Sequence, residues 1–243
     1  MNKPSTLFNV ICGLTLLASA SAQAVVVDTS LWSTEVSPGR SGGPTGLTSA
    51  GGNQAVQNSN SDGTIVSDFV FTGDFNFSGS MTPTTASFND NDLFGLVFGW
   101  QDASNHYRLG WEQGGYNDVS GASGLFLVKE EAGVSSILFQ QETFWSDNVE
   151  YNFVVGRSGN DISFNLNGLD ESFTDTTFMS GKVGFWTESQ TARFGGLSST
   201  VETPFCVLNP NDPSCATNDV PVPAPIALIG LGLLGLRLRR AKA

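Results

Sequence analysis

The sequence predicts an all-β protein, an antiparallel β-sandwich of jelly-roll type, and three observations carry that expectation. Apolar and polar side chains alternate with period two through successive short runs, which puts one set on a buried face and the other in solvent. Roughly ten such runs are separated by Asn, Asp, Gly and Ser turn signals, with no stretch that keeps a 3.6-residue period. The composition agrees: 28 Gly and 18 Phe against only 11 Lys and Arg suit strands and turns better than helices.

In chain order, residues 25–27 with Leu31-Trp32 read as a first strand. Residues 39–52 are a Gly/Ser/Thr/Pro loop, and Asn58-Ser59-Asn60-Ser61-Asp62-Gly63 is an Asx/Gly turn. Residues 65–71 and 74–78 read as paired strands, with Phe69, Phe71, Phe75 and Phe77 at period-two positions across Thr72-Gly73. Further strands are expected at 124–129, 136–141, 149–156, 161–167, 182–187 and 192–197. No internal repeat argues for a propeller or solenoid.

The densest stretch is 89–114. It opens with the polar tetrad Asn89-Asp90-Asn91-Asp92 and passes into the apolar run 93–100. A five-residue break at 101–105 then leads to Tyr107, Leu109 and Trp111, alternating with His106, Arg108, Gly110 and Glu112. This predicts a hairpin with Tyr107, Leu109 and Trp111 buried and the alternate set in solvent. Asp90, Asn91 and Asp92 supply closely spaced oxygen ligands of the kind a calcium ion takes. The EF-hand pattern is not met, and a solvated Asx turn is the other reading.

The two ends carry different signals. Residues 1–24 combine Lys3, an apolar segment around 10–18 and Ala22-Gln23-Ala24, the pattern of a secretory signal peptide cleaved after Ala24. The folded domain is then expected over 25–200, followed by a Pro-containing linker at 201–219. Cys206 and Cys215, the pair left once the leader is removed, are expected to close a small disulfide loop, with metal binding by two thiols as the other reading. Residues 220–243 hold Val220-Pro221-Val222-Pro223-Ala224, a short apolar run and a basic end. That run is barely long enough to enter a bilayer, with the basic cluster holding its end in the cytoplasm. Of the 11 basic residues five lie in the two ends, so six face all 23 acids in between, a net of −17. Such a body repels nucleic acid.

The body resembles the C-terminal domain of thrombospondins, a concanavalin A-like sandwich related to L-type lectins and laminin-G domains. The resemblance rests on Gln54-Ala55-Val56-Gln57 with Asn60-Ser61-Asp62-Gly63, on Phe75-Asn76-Phe77-Ser78-Gly79, and above all on the tetrad followed by Phe94-Gly95-Leu96-Val97-Phe98-Gly99-Trp100-Gln101-Asp102. His106-Tyr107, Trp111, Asp175-Thr176-Thr177 and Gly181-Lys182-Val183-Gly184 extend it, over roughly residues 32–198. The tandem calcium repeats that precede the domain in that family are missing. The resemblance implies calcium association at the acidic tetrad. It implies a fold more firmly than an activity, because this sandwich hosts lectins, adhesion modules and hydrolases alike. The tail resembles a PEP-CTERM sorting signal, with Val222 where Glu usually stands. That implies handling by an exosortase after transient insertion in the inner membrane of a Gram-negative bacterium.

Catalysis finds little support in the residues. The strand motif E-x-D-x-E of the glucanase branch is missing, and Glu112 and Glu150 read as solvent-facing strand residues. The single His106 reads as a half-exposed strand residue, and neither a phosphate loop nor a zinc pattern is present. Among the tryptophans Trp100, Trp111, Trp145 and Trp186, Trp111 and Trp186 are expected in the core. Trp145 is expected to be exposed and available to stack on a sugar. The function expected is therefore non-catalytic: adhesion or carbohydrate binding, supported by calcium, to exopolysaccharide or surface glycans, in a protein exported to the envelope, surface or extracellular matrix. A carbohydrate-active hydrolase on the same fold and a purely structural matrix or biofilm component are the alternatives.

Overall fold

The computed structural model describes residues 25–39, 46–84, 92–115 and 117–199. Among these described residues sixteen strands form two eight-stranded antiparallel sheets packed face to face, the sandwich the alternation predicts. The first sheet contains β1 (Val25–Val26), β3 (Leu47–Gly51), β4 (Gln54–Gln57), β7 (Phe75–Pro83), β12 (Tyr151–Ser158), β13 (Asp161–Leu166), β14 (Leu169–Thr174) and β16 (Ala192–Ser199). The second contains β2 (Ser33–Glu35), β5 (Gly63–Val66), β6 (Phe71–Thr72), β8 (Leu93–Asp102), β9 (Asn105–Trp111), β10 (Leu125–Glu131), β11 (Val134–Gln141) and β15 (Ser180–Glu188). In space the first runs β14-β13-β12-β7-β16-β4-β3, with β1 beside β16. The second runs β11-β10-β9-β8-β15-β5-β2, with β6 beside β15.

The layer between the sheets is aromatic. Phe185 of β15 stacks on Phe194 of β16 at 4.1 Å and lies 5.7 Å from both Trp32 and Phe77, so one ring on each sheet anchors the other. Burying each such ring removes 150–250 Å² from water, which makes this layer the main source of stability. The crossover from β14 to β15 is clamped separately. Tyr107 donates to Asp175 Oδ1 (2.6 Å), Lys129 donates to Oδ2 (3.0 Å), and Arg157 donates to the Asp175 carbonyl (2.8 Å). Burial raises the Asp175 pKa, but bonds from Tyr107, Thr177 and Lys129 outweigh it and hold the carboxyl far below its usual range. Burial and the same bond push the Tyr107 phenol up to about 12.

Several local expectations change. Leu31 ends a 3-10 turn (Thr29–Leu31), capped by Asp28, which accepts from the Ser30 N–H at 2.9 Å. The Gly-rich stretch expected as loop ends in β3, paired with β4. The segments at 65–71 and 74–78 do not pair with each other. β5 joins β15 and β2, while β7 joins β12 and β16, in the other sheet. Phe69, Phe71, Phe75 and Phe77 are nevertheless all buried between the sheets, because alternation sets which face a side chain takes and not which strand lies beside it. The 93–111 hairpin forms with a shorter loop, only Ala103-Ser104. Asp102 Oδ1 accepts from the Ser104 N–H (2.7 Å) and the Asn105 amide (2.9 Å), an Asx turn that draws the flanking residues into the ladder. The cleavage position Ala24, Asp90, Asn91, Cys206, Cys215 and the motif at Val220, Pro221, Val222, Pro223 and Ala224 lie outside the described residues. Among the described residues no helix is long and apolar enough to cross a membrane.

Candidate functional site

The outward face of the second sheet, expected in solvent, is buried. Val66, Leu93, Val97, Trp100, Phe126, Val128 and Trp186 form on it a second apolar cluster, separate from the inter-sheet core. Ala122 joins that cluster from the segment 117–124, which folds back over β9 and β10. The base of the segment is closed by a reciprocal pair: the Gly124 N–H donates to Glu112 Oε1 (2.8 Å), and the Glu112 N–H donates to the Gly124 carbonyl (3.3 Å). Glu112, expected in solvent, is therefore 1% exposed.

Set into this apolar surface is a polar cluster centred on Arg108, which has no exposed surface. The register of β8, β9 and β10 places Val97 and Val128 on either side of Arg108 and sets His106 opposite Glu130. Arg108 Nη2 donates to Asp118 Oδ2 at 2.7 Å, and Nη1 lies 3.8 Å from Glu130 Oε2. The guanidinium sits 5.1 Å from the centroid of the Trp186 ring. Trp186 fits there because its strand neighbour is Gly95, which pairs in turn with Gly110. A Cβ at Gly110 would stand 2.9 Å from Trp186 Cζ2 and collide with the ring of Phe126. Two cross-strand glycines thus form the floor on which the indole lies.

His106 is buried rather than half-exposed, and its ring lies 4.7 Å from Trp100. Arg108 Nη1 approaches His106 Nε2 at 3.3 Å, and His106 Nδ1 lies 3.1 Å from the Asp102 carbonyl. An arginine can only donate, so Nε2 accepts, and Nδ1 carries the proton and donates to the carbonyl. Burial, reinforced by the Arg108 charge, pulls the imidazole pKa down to about 3 and keeps the ring neutral.

Asp118 Oδ2 is crowded, accepting also from the Ser120 N–H (2.9 Å) and hydroxyl (2.6 Å). By contrast Asp118 Oδ1, Arg108 Nε and Trp186 Nε1 are buried with no hydrogen-bond partner among the described residues. Three orphaned polar atoms in one cluster are unusual, because each costs about 1–3 kcal/mol of desolvation.

Two sequence-predicted positions fare differently. Trp145 is not exposed: it is 2% accessible and packs edge-on against Phe94 in the inter-sheet core, with ring centroids 5.8 Å apart. Its backbone N–H donates to the Glu112 carbonyl at 3.2 Å, which folds the chain after β11 back against the end of β9 and drops the indole inward. Asp92, the one described member of the calcium trio, is partly buried just before β8. Among the described residues no three His, Cys, Asp or Glu side chains come together as a metal would require.

The outward face of the first sheet is different. It carries shallow grooves of about 510 Å³, lined by Gln54, Ser80, Thr82, Glu150 and Arg193 among others, and about 550 Å³, along β12, β13 and β14. Their walls mix uncharged polar side chains with apolar ones and with the charged Glu150, Arg193, Asp170 and Glu171.

Among solved structures the chain is similar to a carbohydrate-binding module, CBM66 of Bacillus subtilis, at 20% identity and a TM-score of 0.53, over 71% of this chain and 95% of that one. The chain has a lectin-like jelly-roll fold. A Bacillus subtilis protein of unknown function with a galectin-like fold is similar at 12% identity and a TM-score of 0.49, over 70% and 89%. A Parabacteroides distasonis protein named "putative glycosyl hydrolase" is similar at 14% identity and a TM-score of 0.46, over 68% and 87%. No protein-family model and no curated protein matches the chain. The likenesses to thrombospondin C-terminal domains and to PEP-CTERM tails therefore rest on sequence motifs alone, and the lectin-like sandwich is what the structure supports. Of these residues the sequence marks His106 as half-exposed, Arg108 as solvent-facing and Trp186 as core, and gives Asp118 and Glu130 no role. The available signal was an arginine on the strand that carries Tyr107 and Trp111, in a body with six basic residues.

Proposed function

We propose that the protein is a non-catalytic carbohydrate-binding protein whose site is the Arg108 cluster on the outer face of the second sheet. The observation that carries this reading is the unspent hydrogen-bonding capacity of Arg108 Nε, Asp118 Oδ1 and Trp186 Nε1 beside an indole face. A sugar offers the complement: hydroxyls for a guanidinium fork and carboxylates, and a C–H face that packs on an indole. Glu130 adds a second acceptor, oriented by the Ser135 hydroxyl at 2.6 Å. Both carboxylates nearest Arg108 are engaged with it, which suits recognition better than proton transfer. Access requires the segment 117–124 to part from the sheet while Asp118 stays paired with Arg108, so that its Oδ1 is left to accept from the ligand. The similarity to a carbohydrate-binding module supports the choice of ligand class. The leader at 1–24 and the tail at 220–243 support export and a place in the envelope or extracellular matrix, where exopolysaccharide is the available glycan.

The test is a glycan array probed with the full chain, followed by calorimetric titration of the best neutral oligosaccharide. Glu130→Gln, with its near-ultraviolet circular dichroism unchanged, is expected to bind about tenfold more weakly, the loss of one charge-assisted hydrogen bond. An array with no binding, or a Glu130→Gln variant that binds as tightly as the parent, overturns the assignment.

A further inference from the structure

The sequence holds 3 methionines. Met1 falls in the leader expected at 1–24, and the other two lie in opposite surroundings. Met81 of β7 is 1% exposed and packed between the sheets, whereas Met179, the last residue before β15, is 38% exposed. Met179 nevertheless sits on a fixed backbone. The Gly73 N–H donates to its carbonyl at 3.3 Å, and the Phe178 N–H beside it donates to the Tyr107 hydroxyl at 3.3 Å.

The sulfur of this exposed side chain meets a buried cation. Arg157 of β12 is 4% exposed, with its guanidinium 5.9 Å from the centroid of the Tyr107 ring. Its Nη2 donates to the Phe178 carbonyl (3.1 Å), and Nη1 donates to the Asp175 carbonyl (2.8 Å) and to Met179 Sδ (3.4 Å). Two of these acceptors are carbonyls, but a thioether accepts only weakly. A guanidinium withdrawn from water therefore directs one N–H at a poor partner, and a stronger acceptor at that point would complete its set.

We propose that Met179 is a modification site, oxidised by hydroperoxides, and that its sulfoxide tightens the Arg157 clamp on the β14–β15 crossover. A lone pair on Sδ attacks a peroxide oxygen, so that an S–O bond forms as the O–O bond breaks. The thioether gives up two electrons, and hydrogen peroxide leaves as water. The new oxygen is a strong acceptor, and rotation about the last side-chain bonds turns it toward Arg157 Nη1 while the exposed side leaves room for the sulfur to move outward. Sulfoxidation ordinarily disrupts, because it sets a polar group among apolar ones. Here the inward neighbour is a cation, so the sign reverses. At Met81 the surroundings are apolar, and burial keeps the oxidant away. The inference does not depend on the carbohydrate reading.

The experiment treats the full chain with dilute hydrogen peroxide and follows each methionine by peptide mass mapping, with thermal melting before and after. Met179 is expected to oxidise at least about tenfold faster than Met81, as their exposures require. The melting temperature is expected to rise by about 2–4 °C, the shift that one improved hydrogen bond gives in a domain of this size. In Met179→Leu, peroxide is expected to leave the melting temperature unchanged, which separates this site from oxidation elsewhere in the chain. Untreated Met179→Gln, whose amide oxygen stands where the sulfoxide oxygen would, is expected to melt above Met179→Leu. Met81 reacting as fast as Met179, an oxidised parent that melts no higher than the untreated one, a rise that persists in Met179→Leu, or a Met179→Gln that melts no higher than Met179→Leu overturns the proposal.

Discussion

The two outer faces of this sandwich are written in the same alternating code and end up opposite in character. On the first sheet, Asn76, Arg193 and Asn152 remain exposed, and grooves lined by Ser, Thr, Asn and Gln together with Glu150 and Arg193 run across the face. On the second, His106, Arg108, Glu112 and Glu130 are each no more than 5% exposed, set among Trp100, Phe126 and Trp186. The difference teaches that the polar half of an alternating strand is not necessarily a wet half. Where a segment such as 117–124 covers it, the same residues become a buried charged cluster, held in place by its surroundings and exacting in what it tolerates.

The sharpest way to break this contrast is to remove one arginine from each face. Arg108→Met strands Asp118 and Glu130 without their partner and is expected to cost about 3–5 kcal/mol in urea unfolding. Arg193→Met, on the open face, is expected to stay within about 0.5 kcal/mol of the parent. Equal effects from the two variants would mean that the second face is wetter than the structure shows. If glycan binding disappeared with Arg193→Met instead, the site would have to move to the first sheet.

A smaller difference is expected from adding one methyl group. Gly110→Ala drives a Cβ into Phe126 and Trp186, and overpacking of this kind costs about 1–3 kcal/mol. Gly195→Ala on the other face meets nothing nearer than Gln54 Cγ at 3.8 Å and is expected to leave the melting temperature nearly unchanged.

The mildest perturbation is pH. His106 titrates at about 3 in the folded chain and near 6.5 when unfolded. Between those values the unfolded chain holds the extra proton, so this group lowers stability as pH falls through that window and has no effect above it. From pH 7 to about pH 5 the expected loss is about 2 kcal/mol, and His106→Gln should remove that part of the acid sensitivity. Asp175 acts in a lower window, its contribution fully present above the usual carboxylate pKa and lost only as pH falls toward its depressed value. Parent and His106→Gln curves that remain parallel between pH 7 and 5 would show that the imidazole is solvated.

Much of the fold was legible because it is local. Period-two alternation marked β8, β9, β10, β12, β13, β15 and β16 to within a few residues, and the four phenylalanines from Phe69 to Phe77 were placed on the buried side. β14 was missed because Leu169-Asp170-Glu171-Ser172-Phe173-Thr174 has mostly polar positions, and only the ladder with β13 makes it a strand. Trp145 was misjudged because its position follows from a backbone bond to Glu112, thirty-three positions earlier. The cluster around Arg108 was not visible at all, since Asp118, Glu130 and Trp186 reach it from three different segments.

By itself, the sequence determined the class of fold and the inward face of its main strands, because both follow from the pleat and from the preference of apolar side chains for one another over water. The charge balance was likewise fixed by composition, and with it the expectation that the body repels nucleic acid. Only the tertiary structure decided which strands are neighbours, which outer face is covered and which polar groups meet there. Those outcomes depend on contacts between residues far apart in the chain, and a residue's own neighbours in sequence carry no record of them.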